Sequence, residues 1–180
     1  LAVAHILRGE ADAALAVLAG RVDVIERGGL PDPAVFAYRT LAAIAMKRGE
    51  DARAVEILSA LHEFAVRRDL PRVLFVCLSD QIRLHALRGR VDTAAGLLAR
   101  LEALEPAFDQ PAYQPFRWYY QRMRAIATAF VRLAASDLEG ASAAFDAWIV
   151  EGLATQHGTL GLICRALLAL IDHEQGRPGA

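Results

Sequence analysis

Five histidines, His5, His62, His85, His157 and His173, are the side chains of this sequence with the widest chemical repertoire. None sits in an H-E-x-x-H motif or forms a pair four residues apart, so the spacing offers no zinc ligand set. His62 and Glu63 are adjacent and point in different directions on a helix. No G-x-S-x-G elbow occurs, and no Gly-rich phosphate loop ending in Lys; Lys47 precedes Gly49 instead of following such a loop. Carboxylates are scattered over polar positions and pair nowhere as an acid and a base. Cys77 and Cys164 stand inside apolar helical patterns, where a thiol serves as a small hydrophobe. These residues predict a protein that is not an enzyme and needs neither cofactor nor metal.

One segment concentrates recognition chemistry. Pro115-Phe-Arg-Trp-Tyr-Tyr-Gln-Arg-Met-Arg124 interleaves four aromatic residues with three arginines. Trp, Tyr and Arg carry a disproportionate share of interface energy, which makes Trp118, Tyr119 and Arg122 a candidate interface patch. The competing assignment is the first turns of a long helix, with two aromatics in the core and the arginines in water.

Composition narrows the partners. Hydrophobic residues make up 55% of the 180, mean hydropathy is +0.27, and a packed core follows in place of disorder. The net charge of −1 supplies no global basic field for nucleic acid or an anionic membrane. Lys47 is the single lysine beside nineteen arginines, a composition that suits a GC-rich bacterial genome. No secretory leader is visible and no apolar run approaches the ~18 residues of a membrane span, which points to the cytoplasm. The opening at Leu1, in mid-pattern, and the close on a turn-like stretch read as a fragment of a longer array.

The elements that must position these residues repeat. Leu7-Arg-Gly-Glu-Ala-Asp-Ala-Ala-Leu-Ala-Val-Leu18, Lys47-Arg-Gly-Glu-Asp-Ala-Arg-Ala-Val-Glu-Ile-Leu58, Leu87-Arg-Gly-Arg-Val-Asp-Thr-Ala-Ala-Gly-Leu-Leu98 and Ala134-Ala-Ser-Asp-Leu-Glu-Gly-Ala-Ser-Ala-Ala-Phe145 align without gaps, and a fifth copy opens at Glu174. The turn residues Gly9, Gly49, Gly89, Ser136 and Gly176 are separated by 40, 40, 47 and 40. A glycine there ends a helix in the left-handed conformation without a Cβ penalty. Acidic residues just after it (Asp12, Asp51, Asp92, Glu139) suit the positive N-terminal end of the next helix. Five residues past each turn stands Ala14, Ala54, Ala94 or Ala141; nine past it stands Leu18, Leu58, Leu98 or Phe145. That spacing puts both on one helix face, with a methyl to admit a close neighbour.

The pattern predicts helices over about 1–8, 11–27, 34–47, 51–68, 72–87, 91–104, 113–135, 138–153 and 157–174, with no strand. The run 28–33 breaks the second, and the seven extra residues fall in a loop where Pro106, Pro111 and Pro115 cluster. The expected architecture is all-α, one domain over 1–180: antiparallel helix pairs stacked into a right-handed superhelix.

The turn Gly, the Ala five residues on and the large apolar residue nine on resemble the tetratricopeptide repeat. The period of 40 in place of 34 resembles the version in large bacterial LuxR-type transcription activators, such as the maltose-operon activator. Arg48-Gly-Glu-Asp-Ala-Arg-Ala-Val-Glu-Ile-Leu58 and residues 87–98 carry this resemblance, which spans essentially the whole chain. It implies a superhelix between an ATPase module and a DNA-binding helix-turn-helix, receiving an inducer or a regulatory protein and contacting no nucleic acid itself. The alternative is a general protein-interaction scaffold unrelated to transcription. In such stacks the first helix of each pair lines the concave face. Counting back by the family's pattern puts Arg39, Ala43, Met46 and Lys47 there from one copy and Val76, Ser79, Asp80 and Arg83 from the next. Arg39, Lys47, Asp80 and Arg83 are the implied polar binding groups; the other outcome is ion pairs among themselves.

Overall fold

The computed structural model describes residues 1–28, 30–154 and 158–174, without the side chains of 3, 6, 7, 148–154, 158–163, 170 and 174. Ten α-helices follow in order: α1 Ala2–Leu7, α2 Ala11–Leu18, α3 Val22–Arg27, α4 Pro31–Lys47, α5 Asp51–Arg67, α6 Pro71–Leu87, α7 Val91–Glu102, α8 Arg117–Ala134, α9 Leu138–Ala154 and α10 Gly158–Glu174. No strand occurs among the described residues. The residues group into two compact units, 1–81 and 82–180, with the boundary inside α6.

The turns have the backbone geometry that the repeat requires. Gly9, Gly49 and Gly89 take φ of 78°, 75° and 67°, and Ser136 takes 61° in the same role. In each turn the amide of the following residue reaches back to the helix it leaves. Glu10 N–H donates to His5 O at 2.8 Å, Glu50 to Ala45 at 2.9 Å, Arg90 to His85 at 3.0 Å and Asp137 to Arg132 at 2.9 Å. This six-to-one bond is the Schellman closure, which satisfies a carbonyl that the helix end leaves free. Glu10, Glu50 and Arg90 then share one conformation, φ −83° to −87° and ψ 61° to 68°. At the fourth turn Asp137 caps α9, its carboxylate accepting from Gly140 N–H at 3.0 Å. The turn at Gly176 lies outside the described residues.

The strain at these positions gives a paired prediction. Gly49→Val is expected to lower the unfolding free energy by about 1 kcal/mol or more, because a branched residue disfavours positive φ. Ser136→Gly is expected to raise it by about 1 kcal/mol, by relieving the same penalty. Thermal melts of both variants check the pair; a shift of the same sign in both contradicts it.

Behind each turn the small position is fully covered: Ala14, Ala54, Ala94 and Ala141 are all 0% exposed. Leu18, Leu58 and Phe145 are buried with them. Leu98 is only half-buried, and Leu97 and Leu101 take its place. The difference is one of stripe width. On α5 the buried positions 54, 57, 58, 61, 64 and 65 form a broad face, whereas α7 buries only 94, 97 and 101. Ala54→Leu is expected to overpack the contact and cost roughly 1–3 kcal/mol. Denaturant unfolding measures this, and an unchanged midpoint would mean that the alanine faces no neighbour.

Three boundaries differ from the sequence expectation. The segment expected as one helix over 11–27 is two, because Gly20 takes φ 63° and the chain restarts at Val22. α4 begins at Pro31, before the expected residue 34. The first-turn amides of a helix have no intrahelical acceptor, so Pro31 and Pro33 cost nothing there. The proline-rich insertion forms two 3₁₀ turns, Glu105–Asp109 and Pro111–Phe116, and α8 starts only at Arg117. Asp69, between α5 and α6, also takes positive φ, 50°, and Leu70 N–H closes that turn on Ala65 O at 2.9 Å.

Within residues 1–81, α1 packs on α2 and α4 on α5. The Cys77 thiol on α6 donates to Leu58 O on α5 at 3.1 Å. Two ion pairs join α4 to α6 and follow the same order along both helices. Asp32, the second residue of α4, pairs with Arg72, the second residue of α6; further along, Arg39 pairs with Asp80. The first pair, 40 residues apart, joins equivalent positions of successive copies, and the second, 41 apart, is offset by one residue. α3 is tied down separately: Tyr38 donates its phenol proton to the Glu26 carboxylate, and Arg68 Nη2 donates to Glu26 O at 2.9 Å. Burial first, then Glu26, push the Tyr38 phenol well above its ordinary range.

Within residues 82–180, α7 packs on α8, α8 on α9 and α9 on α10. The core holds Ala94, Phe130, Ala141, Phe145, Cys164 and Ile171, with Phe130 and Phe145 edge to face at 5.8 Å between ring centres.

Candidate functional site

The polar residues assigned to a concave face come from α4 and α6. Arg39 Nε donates to Asp80 Oδ2 at 2.5 Å and Arg39 Nη2 to Oδ1 at 3.2 Å, a two-pronged contact whose planar fork matches the carboxylate. The Asp80 side chain is only 7% exposed and that of Arg39 33%. The Asp80 carboxylate is thus a structural partner of Arg39, not an acceptor held out to a ligand. Ser79 is also turned inward, donating to Phe75 O at 2.9 Å, and Val76 is buried. Lys47, in the last turn of α4, stands in solvent with Met46 and Ala43 half-buried beside it. Arg83, one turn on from Asp80 along α6, is half-buried. The structure therefore joins Arg39 to Asp80 and keeps Lys47 exposed at the end of its helix.

The aromatic segment divides as well. Trp118 is 51% exposed and meets the half-buried Tyr119 edge to face at 6.0 Å. Arg122 does not join them at the surface: it is 5% exposed, under α8, where its charge opposes the upward push that burial gives the Cys164 thiol. Arg122, expected to share an exposed interface patch with Trp118 and Tyr119, is buried instead. Arg122 lies one helical turn beyond Trp118, and such a step alone does not say which side chain bends under the helix.

Tyr120 is buried, and Phe108 from the insertion stacks on it with the rings 18° from parallel. Tyr113 meets Phe108 edge to face at 5.6 Å. Two ion pairs hold the insertion in place: Arg117 with Asp109 at 3.1 Å, and Arg124 with Glu105. A signal for this was present in sequence. The insertion carries two acids, and the helix after it carries arginines on the matching side.

Histidine chemistry stays local. His5 Nδ1 lies 2.6 Å from Glu10 Oε2. Burial, then Arg90, hold His85 below its ordinary value, so it is neutral at neutral pH. His173 is exposed, and His157 lies outside the described residues. Among the described residues no group of three His, Cys, Asp or Glu side chains converges as a metal site. No helix among them is long and apolar enough to cross a membrane.

Comparisons with models of protein families, with curated proteins and with solved structures return no match for this chain.

Proposed function

We propose that this chain is a non-catalytic binding segment of a LuxR-type transcriptional regulator. Its helix pairs stack antiparallel into a right-handed superhelix that receives a protein or a small-molecule inducer. The supporting observation is the pairing of α4 with α6 through Asp32–Arg72, one period apart, and Arg39–Asp80, one residue off that period. Neighbouring copies that meet in register generate a curved array and a continuous inner surface. Lys47, exposed at the end of α4, is the polar group on that surface which an inducer would reach first.

An inducer acts on such a regulator only through unequal affinity for its two assemblies. The gene surrounding this segment tests the reading: it should encode a phosphate loop upstream and a helix-turn-helix downstream. In that full-length regulator, Lys47→Glu should shift the inducer dose–response of a reporter while leaving the melting temperature unchanged. A gene with neither flanking module overturns the assignment.

Exposed aromatics favour one second reading, a scaffold for protein partners with no role in transcription. Trp118 is 51% and Phe116 44% exposed, and such side chains anchor protein interfaces. Under that reading Trp118→Ala abolishes capture of the partner, and no sugar or metabolite alters the melting temperature.

A further inference from the structure

We propose that the turn joining α6 to α7 is an acid-sensitive latch that opens when the His85 imidazole becomes a cation. The repeat itself supplies the comparison. Four residues before the turn glycine stand His5 in the first copy, Ala45 in the second and His85 in the third. One residue after it stand Glu10, Glu50 and Arg90. In the first copy an acid faces the ring: His5 Nδ1 lies 2.6 Å from Glu10 Oε2. In the third copy an arginine takes the position of that acid, and His85 Nδ1 is buried with no hydrogen-bond partner.

The unmatched nitrogen defines the resting state. A lone pair shut away from water forgoes one hydrogen bond, whereas an N–H of a cation in that place loses its hydration and finds no acceptor. The absence of an acceptor therefore assigns the proton of the neutral ring to Nε2. Ala86, next in sequence, packs with Ala94 of α7 and with Ile126 and Ala129 of α8, so these are the elements that could supply a counter-charge. Neither does. Asp92 and Glu102 on α7 are exposed, and α8 carries Arg117, Arg122, Arg124 and Arg132 without a carboxylate. Among the described residues the charge that acts on His85 is Arg90, of the same sign as an imidazolium.

His85 also closes the turn. Its carbonyl accepts from Arg88 N–H at 3.1 Å and from Arg90 N–H at 3.0 Å. A protonated Nδ1 reaches water only if the ring leaves its place, and the last turn of α6, which carries ring and carbonyl together, frays with it. A helix C-terminus by itself favours a cation, but here the closing amides already occupy the carbonyls of His85 and Ala86. The direction in pH follows. Burial first, then Arg90, hold His85 below its ordinary value of 6.5, so the closed turn is fully stable above that pH and loses stability as pH falls through it. The inference rests on the turn and not on the regulator reading, so either can fail alone.

Amide hydrogen exchange of the whole chain, read by NMR at about pH 7.5 and about pH 5.5 and corrected for intrinsic rates, tests the latch. Protection of Arg90 N–H is expected to fall severalfold at the lower pH. Glu50 N–H, which closes the second turn on Ala45 O at 2.9 Å with no imidazole beside it, should keep its protection. His85→Gln should remove the pH dependence at residue 90. Arg90→Glu restores the pairing of the first copy at an exposed position and should reverse the dependence, with protection greater at the lower pH. Equal protection of Arg90 N–H at both pH values overturns the proposal. A fall that persists in His85→Gln or in Arg90→Glu also overturns it, since another group then titrates, as does an equal fall at Glu50 N–H, which marks unfolding of the whole chain.

Discussion

Phe145→Ala is expected to lower the unfolding free energy of the unit that holds it by roughly 3–5 kcal/mol, the largest effect of any substitution considered for this chain. Phe145 is fully buried and occupies the large apolar position of the fourth copy. Its ring meets Phe130 edge to face, and the same core holds Ala141 and Cys164. Truncation removes both the transfer free energy of the ring and the contacts around the hole it leaves, since helices anchored at several points close such a hole only in part. Chemical denaturation followed by circular dichroism reads the loss. A cost under about 1 kcal/mol would mean that α8 and α9 reclose over the gap and that Phe145 does not key them together. Leu98→Ala, at the equivalent but half-buried position, should cost clearly less, because much of its surface already faces water.

Arg39→Ala is expected to cost roughly 2–3 kcal/mol, below the 3–5 kcal/mol of a fully buried pair, because solvent screens an arginine that is one-third exposed. The loss arises from the partner left behind. Asp80 keeps its position inside the fold with its two-pronged donor gone, and an uncompensated carboxylate there is penalised by desolvation. Replacing both residues, Arg39→Leu with Asp80→Leu, should recover a large part of the loss, since an apolar pair of similar size needs no compensation. A double-mutant cycle by thermal or chemical unfolding tests this. Strict additivity of the two single losses would mean that the ion pair contributes no coupling. The point bears on function: a ligand that binds less tightly to Arg39→Ala has not thereby been shown to touch Arg39, because α4 and α6 have lost a clamp. Lys47, exposed and remote from that clamp, is the sounder probe of the inner surface proposed above.

The sequence by itself determined the turns, the small positions and the helical class. Gly9, Gly49 and Gly89 read as left-handed turns because the requirement is local: one residue must leave the helix with positive φ, and glycine does so without a clash. Ala14, Ala54, Ala94 and Ala141 read as close contacts because a fixed spacing within one helix fixes the face. Gly20 and Asp69 escaped that reading, since each ends a helix outside the 40-residue spacing.

Only the tertiary structure decided what each polar side chain does. Arg39 and Asp80 are 41 residues apart, and no local pattern states that α4 and α6 meet and neutralise one another. Arg122 carries the same charge as Arg117, yet one lies under α8 and the other in solvent beside Asp109. Phe36 and Val76 occupy equivalent positions, and one is open while the other is covered, because burial depends on which helix lies alongside. The physical reason is common to all three. Backbone conformation is set by neighbours along the chain, whereas desolvation and charge pairing are set by neighbours in space.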